Sequence, residues 1–301
     1  MTIHFNIEYK TLFGEQLVLN IQKEDEELKF PMTTLNGERW SFDWCVEQPA
    51  KVYTYYYSVE RDGRVLKTEW LLVKHRLELN ATKADEFTLY DSWKVIPEDA
   101  YLYSSAFTDC INHQAPEELA MQNCAKTVRL IVRAPQLRDG ERLGLVGADN
   151  VLGAWNAEKM LKMTQHTYNE WVADLDAAHL QTAHMEFKFV AYNEKKDLLF
   201  WETGMNRTID LPEMKAGDAI AYELDQAFFA LYNRKVAGTL VPVFSLRSEK
   251  SAGVGDFGDL KTMIDLVAST GQKVLQLLPI NDTTITHTWT DSYPYSCISV
   301  F

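Results

Sequence analysis

Between residues 145 and 207 several side chains are spaced in a way that suits gripping a ligand. Trp155 lies in the run Leu152-Gly153-Ala154-Trp155-Asn156, where a glycine-containing loop gives an indole no strand to pack into. Glu186-Phe187-Lys188-Phe189, Trp201-Glu202 and Asn206-Arg207 follow. Indoles offer flat apolar faces, and an ammonium or amide offers directional donors, so the set reads as stacking plus hydrogen bonding. Trp201 alone would suit a core equally well, and Lys188 alone a solvated strand; their company favours a binding surface. Trp171, inside an alternating run, is assigned to a core.

The elements that must position these residues belong to a degenerate repeat. Gly14 to Leu19 resembles Gly140 to Leu145, and Trp40 answers Trp171. Tyr53 to Val59, ending at Trp70, answers Met185 to Ala191, ending at Trp201, with 131 residues between the paired tryptophans. The second copy carries extra residues in the loop that holds Trp155. Short alternating runs separated by turns such as Asn36-Gly37 and Asp62-Gly63 predict an antiparallel sandwich for each copy. The expected domains are 1–105, a linker over 106–126, 127–226, and a different domain over 227–301.

The quoted motifs make residues 128–212 similar to carbohydrate-binding module family 20, the starch-binding domain. Leu145-Val146-Gly147, Leu152-Gly153-Ala154-Trp155, Phe187-Lys188-Phe189, Trp201-Glu202 and Asn206-Arg207 stand in that family's order. The resemblance implies that Trp155 and Trp201 stack on glucose rings, with Lys188, Glu202 and Asn206 also at the glucan. The implied partners are starch, glycogen, maltooligosaccharides or other α-glucans. Residues 3–95 resemble the family only loosely: the Leu-Gly-x-Trp loop is missing, Tyr56 replaces the lysine, and His75 stands near the asparagine position. Trp70 remains as a possible secondary glucan contact.

After Asn233 the grammar changes to strand (Gly238 to Leu246), helix and strand (Val274 to Leu278), the signature of a βαβ unit. Asp259 is a candidate helix cap, Asp256 is read as organising the loop and capping the helix, and Leu260, Met263, Ile264 and Val267 form one helix face. Gly253 to Gly258 fits G-x-G-x-x-G, but Arg247 to Ala252 separate it from the strand end, against a dinucleotide site. The stretch Val243 to Ser248, then Ser251 to Phe257, with Gln276-Leu277-Leu278-Pro279 and Ser292-Tyr293-Pro294-Tyr295-Ser296, resembles glycoside hydrolase family 77, the 4-α-glucanotransferases. That likeness implies the first βαβ unit of a (β/α)8 TIM barrel and makes Tyr295 a substrate contact. It also implies retaining transfer between α-1,4-glucans by two carboxylates on later strands, so no catalytic residue is expected before Phe301. Asp282 and Asp291 receive no catalytic role.

The expected fold is therefore mostly β: two tandem starch-binding-type sandwiches followed by the opening of a barrel. The alternative function is a non-catalytic α-glucan-binding protein. With 30 basic against 43 acidic residues, net −13, the chain repels nucleic acid and anionic membranes. No run reaches the roughly 18 apolar residues of a membrane span. Cys45, Cys110, Cys124 and Cys297 lack metal-type pairing, and without a secretion signal they read as reduced thiols of a cytoplasmic protein. Neither metal nor cofactor is expected.

Overall fold

The computed structural model describes residues 1–290 except 24–25, 48–51, 80–83, 112–118, 139, 168, 194, 196, 231–236, 281–285, 287 and 289. Two compact units emerge, Met1–Tyr232 and Asn233–Phe301. In the first repeat copy the strands are β1 (Thr2–Glu8), β2 (Gln16–Lys23), β3 (Glu26–Pro31), β4 (Thr33–Thr34), β5 (Arg39–Cys45), β6 (Val52–Arg61), β7 (Arg64–Thr68), β8 (His75–Glu78) and β9 (Glu86–Asp91). The second copy supplies β10 (Thr127–Arg133), β11 (Glu141–Gly147), β12 (Leu161–Lys162), β13 (Thr164–Thr167), β14 (Glu170–Asp176), β15 (His184–Asn193), β16 (Leu198–Trp201), β17 (Arg207–Asp210) and β18 (Ala219–Glu223).

Period-two alternation sets the layers. Ile3, Phe5 and Ile7 of β1 enter one core, and Met185, Phe187 and Phe189 of β15 enter another. One outer sheet runs β3-β2-β6-β7 with β8 on β6; the other runs β12-β11-β15-β16 with β17 on β15. An eight-stranded sheet, β13-β14-β10-β18-β9-β1-β5-β4, serves both copies. Its order reads alike from either end, because β18-β10-β14-β13 repeats β9-β1-β5-β4. The copies join where β18 pairs with β9 in parallel, Ala219 beside Phe87 through Tyr222 beside Tyr90. Parallel pairs also link β1 to β9 and β10 to β18, while the remaining pairs in this unit are antiparallel.

At the seam, alternate residues go to different cores. Phe87, Leu89, Ala219 and Ala221 face the first, whereas Ile220, Tyr222 and Tyr90 face the second. The two cores thus lie on opposite faces of the shared sheet. The Tyr90 and Tyr222 rings stack 4.7 Å apart. The expected linker is tied down at several points. Met121 is buried in the first core, Gln122 N–H donates to Asp174, and Lys126 N–H donates to Asp176.

In the second unit β19 (Gly238–Val241) pairs in parallel with β20 (Val274–Leu277), and α1 (Phe257–Ser269) connects them. The first strand is shorter than the expected Gly238 to Leu246, since Pro242 ends it and Val243–Ser245 forms a 3-10 turn. Leu260 and Met263 are half-buried and Val267 is buried, but Ile264 is exposed. Both acids read at the helix start take part in its cap. Asp256 is the N-cap, accepting from Gly258 and Asp259 N–H, while the Asp259 carboxylate reaches back to Asp256 N–H as the other half of a capping box.

Candidate glucan-binding surface

The Trp155 loop is pre-set by backbone geometry. Gly153, Ala154 and Trp155 take successive positive φ values of 85°, 47° and 60°. A bulky residue pays for this conformation with strain on the order of 1–3 kcal/mol, so the frame must impose it. Trp155 N–H donates to Gly147 O (2.8 Å) and Ala154 N–H to Asp149 O (3.0 Å). The Asp149 carboxylate holds Val151 and Gln181 N–H groups. At Gly153 a Cβ would come within 2.7 Å of Lys159 O, so glycine is needed there. The result is an indole left 38% exposed on a rigid loop.

Trp201 reaches solvent through strand register. Phe187, Phe189 and Ala191 point into the core, so Glu186, Lys188 and Val190 face outward. Trp201 lies opposite Val190 on β16 and shares that outward face, 40% exposed. Val146 pairs with Lys188 and Gly144 with Val190 on β11, the strand whose last residue, Gly147, anchors Trp155. Lys188 Nζ donates to Gly204 O (2.6 Å), and Asn206 Nδ2 donates to Glu186 Oε1 (2.7 Å). Lys188 and Asn206 therefore also brace the loop that follows Trp201.

Glu202 needs correction as a sugar contact. It is 5% exposed, and its carboxylate takes Arg207 Nη2 (2.6 Å) and Nε (3.0 Å) as well as Phe189 N–H (3.3 Å). A buried carboxylate must be paired, and this one is saturated from beneath. It holds up the surface without belonging to it.

The first copy repeats the brace and lacks the plates. Glu69 exchanges bonds with Tyr57 as Glu202 does with Phe189. Thr68 sits opposite Ser58 where Trp201 sits opposite Val190. The tryptophan equivalence drawn from the sequence is thus out of register: Trp70 lies beyond the strand, half-buried and edge-on to Tyr103 at 5.1 Å. Tyr56 does occupy the lysine position, and its hydroxyl donates to Glu27. His75 pairs with Tyr55 as Arg207 pairs with Phe187, so it replaces the arginine, one step from the asparagine position.

Around His75 lies a buried ionic cluster that spacing gave no means of finding. His75 Nδ1 is 2.6 Å from Glu223, and Nε2 is 3.0 Å from Glu69. Lys94 Nζ is 2.6 Å from Glu223, and Tyr55 and Tyr57 donate to Asp91 Oδ2. His75, Asp91 and Glu223 have a metal-ligand donor set, with ligand atoms within 4.8 Å of one another. The Lys94 ammonium and two short imidazole–carboxylate bonds already supply positive charge there, so the cluster reads as an ion network.

In the second unit the glycine-rich loop is explained by packing. At Gly255 a Cβ would lie 2.2 Å from Val243 O and 2.5 Å from Leu246 O, so backbone crowding fixes that glycine. Ser248 and Ser251 hydroxyls donate to Asp259. Tyr295, Asp282 and Asp291 lie outside the described residues.

Two family models match the chain: the starch binding domain over residues 126–220 and 4-alpha-glucanotransferase over residues 241–301. The chain thus carries a starch-binding module followed by a portion of a 4-alpha-glucanotransferase domain. Over its whole length it is 29% identical to 4-alpha-glucanotransferase DPE2 of Oryza sativa subsp. japonica, and it spans 34% of that protein. A 4-alpha-glucanotransferase of Chlamydia trachomatis is 48% identical over 62 residues, 21% of this chain and 11% of that protein. Among solved structures, the family 20 module of the maltotetraose-forming amylase of Pseudomonas saccharophila aligns with 32% of this chain and 98% of its own, at 17% identity and a TM-score of 0.26.

Proposed function

We propose that the outward face of the β11–β15–β16 sheet binds α-1,4-glucans, and that the chain is the glucan-gripping portion of a 4-α-glucanotransferase. The observation that carries this reading is a pair of half-exposed indoles, Trp155 on the loop anchored at Gly147 of β11 and Trp201 on β16, flanking the strand β15 that carries Lys188 and the Asn206-bonded Glu186. A glucose ring has apolar C–H faces and a polar rim, so it stacks on an indole while its hydroxyls meet the ammonium and the amide. With roughly 0.5–1.5 kcal/mol per stack beyond area burial, a weak site of about micromolar to millimolar Kd follows.

Starch, glycogen and maltooligosaccharides are the proposed ligands, in a cytoplasmic setting with which the free thiols of Cys45 and Cys124 agree. The reaction of the whole protein is retaining transfer of glucosyl units, which needs two carboxylates about 5 Å apart. The 301-residue chain is assigned the binding, not the transfer chemistry. Titration of that chain with maltoheptaose, followed by tryptophan fluorescence, tests the binding. Saturable quenching that Trp201→Ala removes is expected; no quenching by any α-glucan would overturn the proposal.

A further inference from the structure

The loop that follows Trp201 holds an exposed apolar side chain that neither the fold nor the two indoles account for. The chain has nine methionines, and Met205 alone among them is exposed, at 90%. An apolar side chain on a floppy tip would be unremarked, but this loop is pinned on every side. Thr203 N–H donates to Phe228 O (2.8 Å), and its hydroxyl accepts from Ala230 N–H (2.8 Å). Gly204 turns the chain at φ 98° and its carbonyl takes the Lys188 ammonium, while Asn206 is tied to Glu186. Met205 thus sits between Gly204, held by Lys188, and Asn206, held by Glu186, three and four residues past Glu202 and Trp201 respectively. Phe228, bonded to the same loop through its backbone, is also 46% exposed. Exposed apolar groups gathered at one rigid edge mark a surface that is covered in use.

Resting on the reading of this face as a glucan site, we propose that Met205 is a third apolar contact. It packs on the C–H face of the sugar ring next to the one stacked on Trp201, so the site favours chains longer than a disaccharide. A thioether suits this position because it is polarizable and adapts its rotamer to a curved, variable chain. Truncation should weaken binding by roughly three- to tenfold for maltoheptaose, the scale set by losing partial burial of one apolar side chain, and by less than about twofold for maltose.

Mass-spectrometric footprinting of the 301-residue chain under mild peroxide tests this directly, since exposure leaves Met205 the readily oxidised methionine. Saturating maltoheptaose should slow sulfoxide formation at Met205 several-fold, and maltose should leave it nearly unchanged. Met205→Leu should keep the maltoheptaose affinity that Met205→Ala loses. An unchanged oxidation rate in saturating maltoheptaose, or wild-type affinity for Met205→Ala, would overturn the assignment. The two readings fail separately: if Trp201→Ala also binds normally, the glucan face itself has been misplaced.

Discussion

His75 and Glu223 meet across the seam of the two modules, Nδ1 to Oε2 at 2.6 Å, from positions 148 residues apart. Glu223 follows Ala221 in the strand alternation and so points into the first module's core, although its strand belongs to the second. Burial alone would lower the imidazole's affinity for its proton. Glu69, Glu223 and Asp91 outweigh both burial and the Lys94 charge, and hold the pKa at about 10. Glu223 is pulled well below the usual carboxylate range, because Lys94 and His75 overcome its burial.

Removing the histidine should therefore unfasten the seam. His75→Ala leaves three buried carboxylates with Lys94 and the neighbouring Arg133 charge to balance them, a loss on the order of 3–5 kcal/mol. Urea unfolding of the variant checks this, and a change below about 1 kcal/mol would show that the cluster is not holding the modules together.

The same cluster sets a pH dependence. His75, raised from 6.5 to about 10 in the fold, contributes stability that is complete below pH 6.5 and lost as pH rises through 10. Glu223, depressed from 4.5, contributes stability that is present above pH 4.5 and lost on acidification. Asp91, raised above its ordinary value by burial despite His75, offsets part of the acid limb. Melting temperature should fall between pH 7 and 10, and His75→Gln should flatten that fall. An equal alkaline fall in the variant would assign it to other groups.

Glu202→Gln separates support from contact. Weakening the buried pair with Arg207 should lower the melting temperature by several degrees, since about 1 kcal/mol corresponds to about 2–4 °C in a domain of this size. Maltoheptaose affinity of the folded protein should stay within about twofold. A tenfold loss of affinity without loss of stability would return Glu202 to the sugar face.

Trp70→Ala should likewise cost stability, roughly 1–3 kcal/mol for a half-buried aromatic with an edge contact to Tyr103. Its effect on quenching by maltoheptaose should be confined to a lower starting signal. A weaker Kd would place a second glucan site on the first module.

The parts of this structure legible in the sequence were those set by local chemistry. Alternation announced β6 and β15, turn residues announced the hairpins, and Trp155 stood out because its loop could not bury it. The registers of the two copies could not be read, because a tryptophan two residues beyond a strand looks like one inside it. Thr68 and Glu69, not Trp70, carry the structural match, and backbone bonds to Tyr57 decide that. The shared sheet was equally hidden. An alternating strand specifies which face is apolar but not which edge it will meet, so the pairing of β9 with β18 has no local signature. The burial of Glu223 at that pairing has no local signature for the same reason.

The shared sheet also decides how many polysaccharide strands this molecule can serve. With the cores on opposite faces, the outer surfaces of the two flanking sheets look away from each other, and the buried His75–Glu223 contact keeps them so. A straight stretch of glucan lying on Trp155 and Trp201 cannot also lie on the matching surface of the first module. That module acts as a stiff backrest for the second, and any sugar it held would come from a different strand, turning the protein into a staple between neighbouring chains.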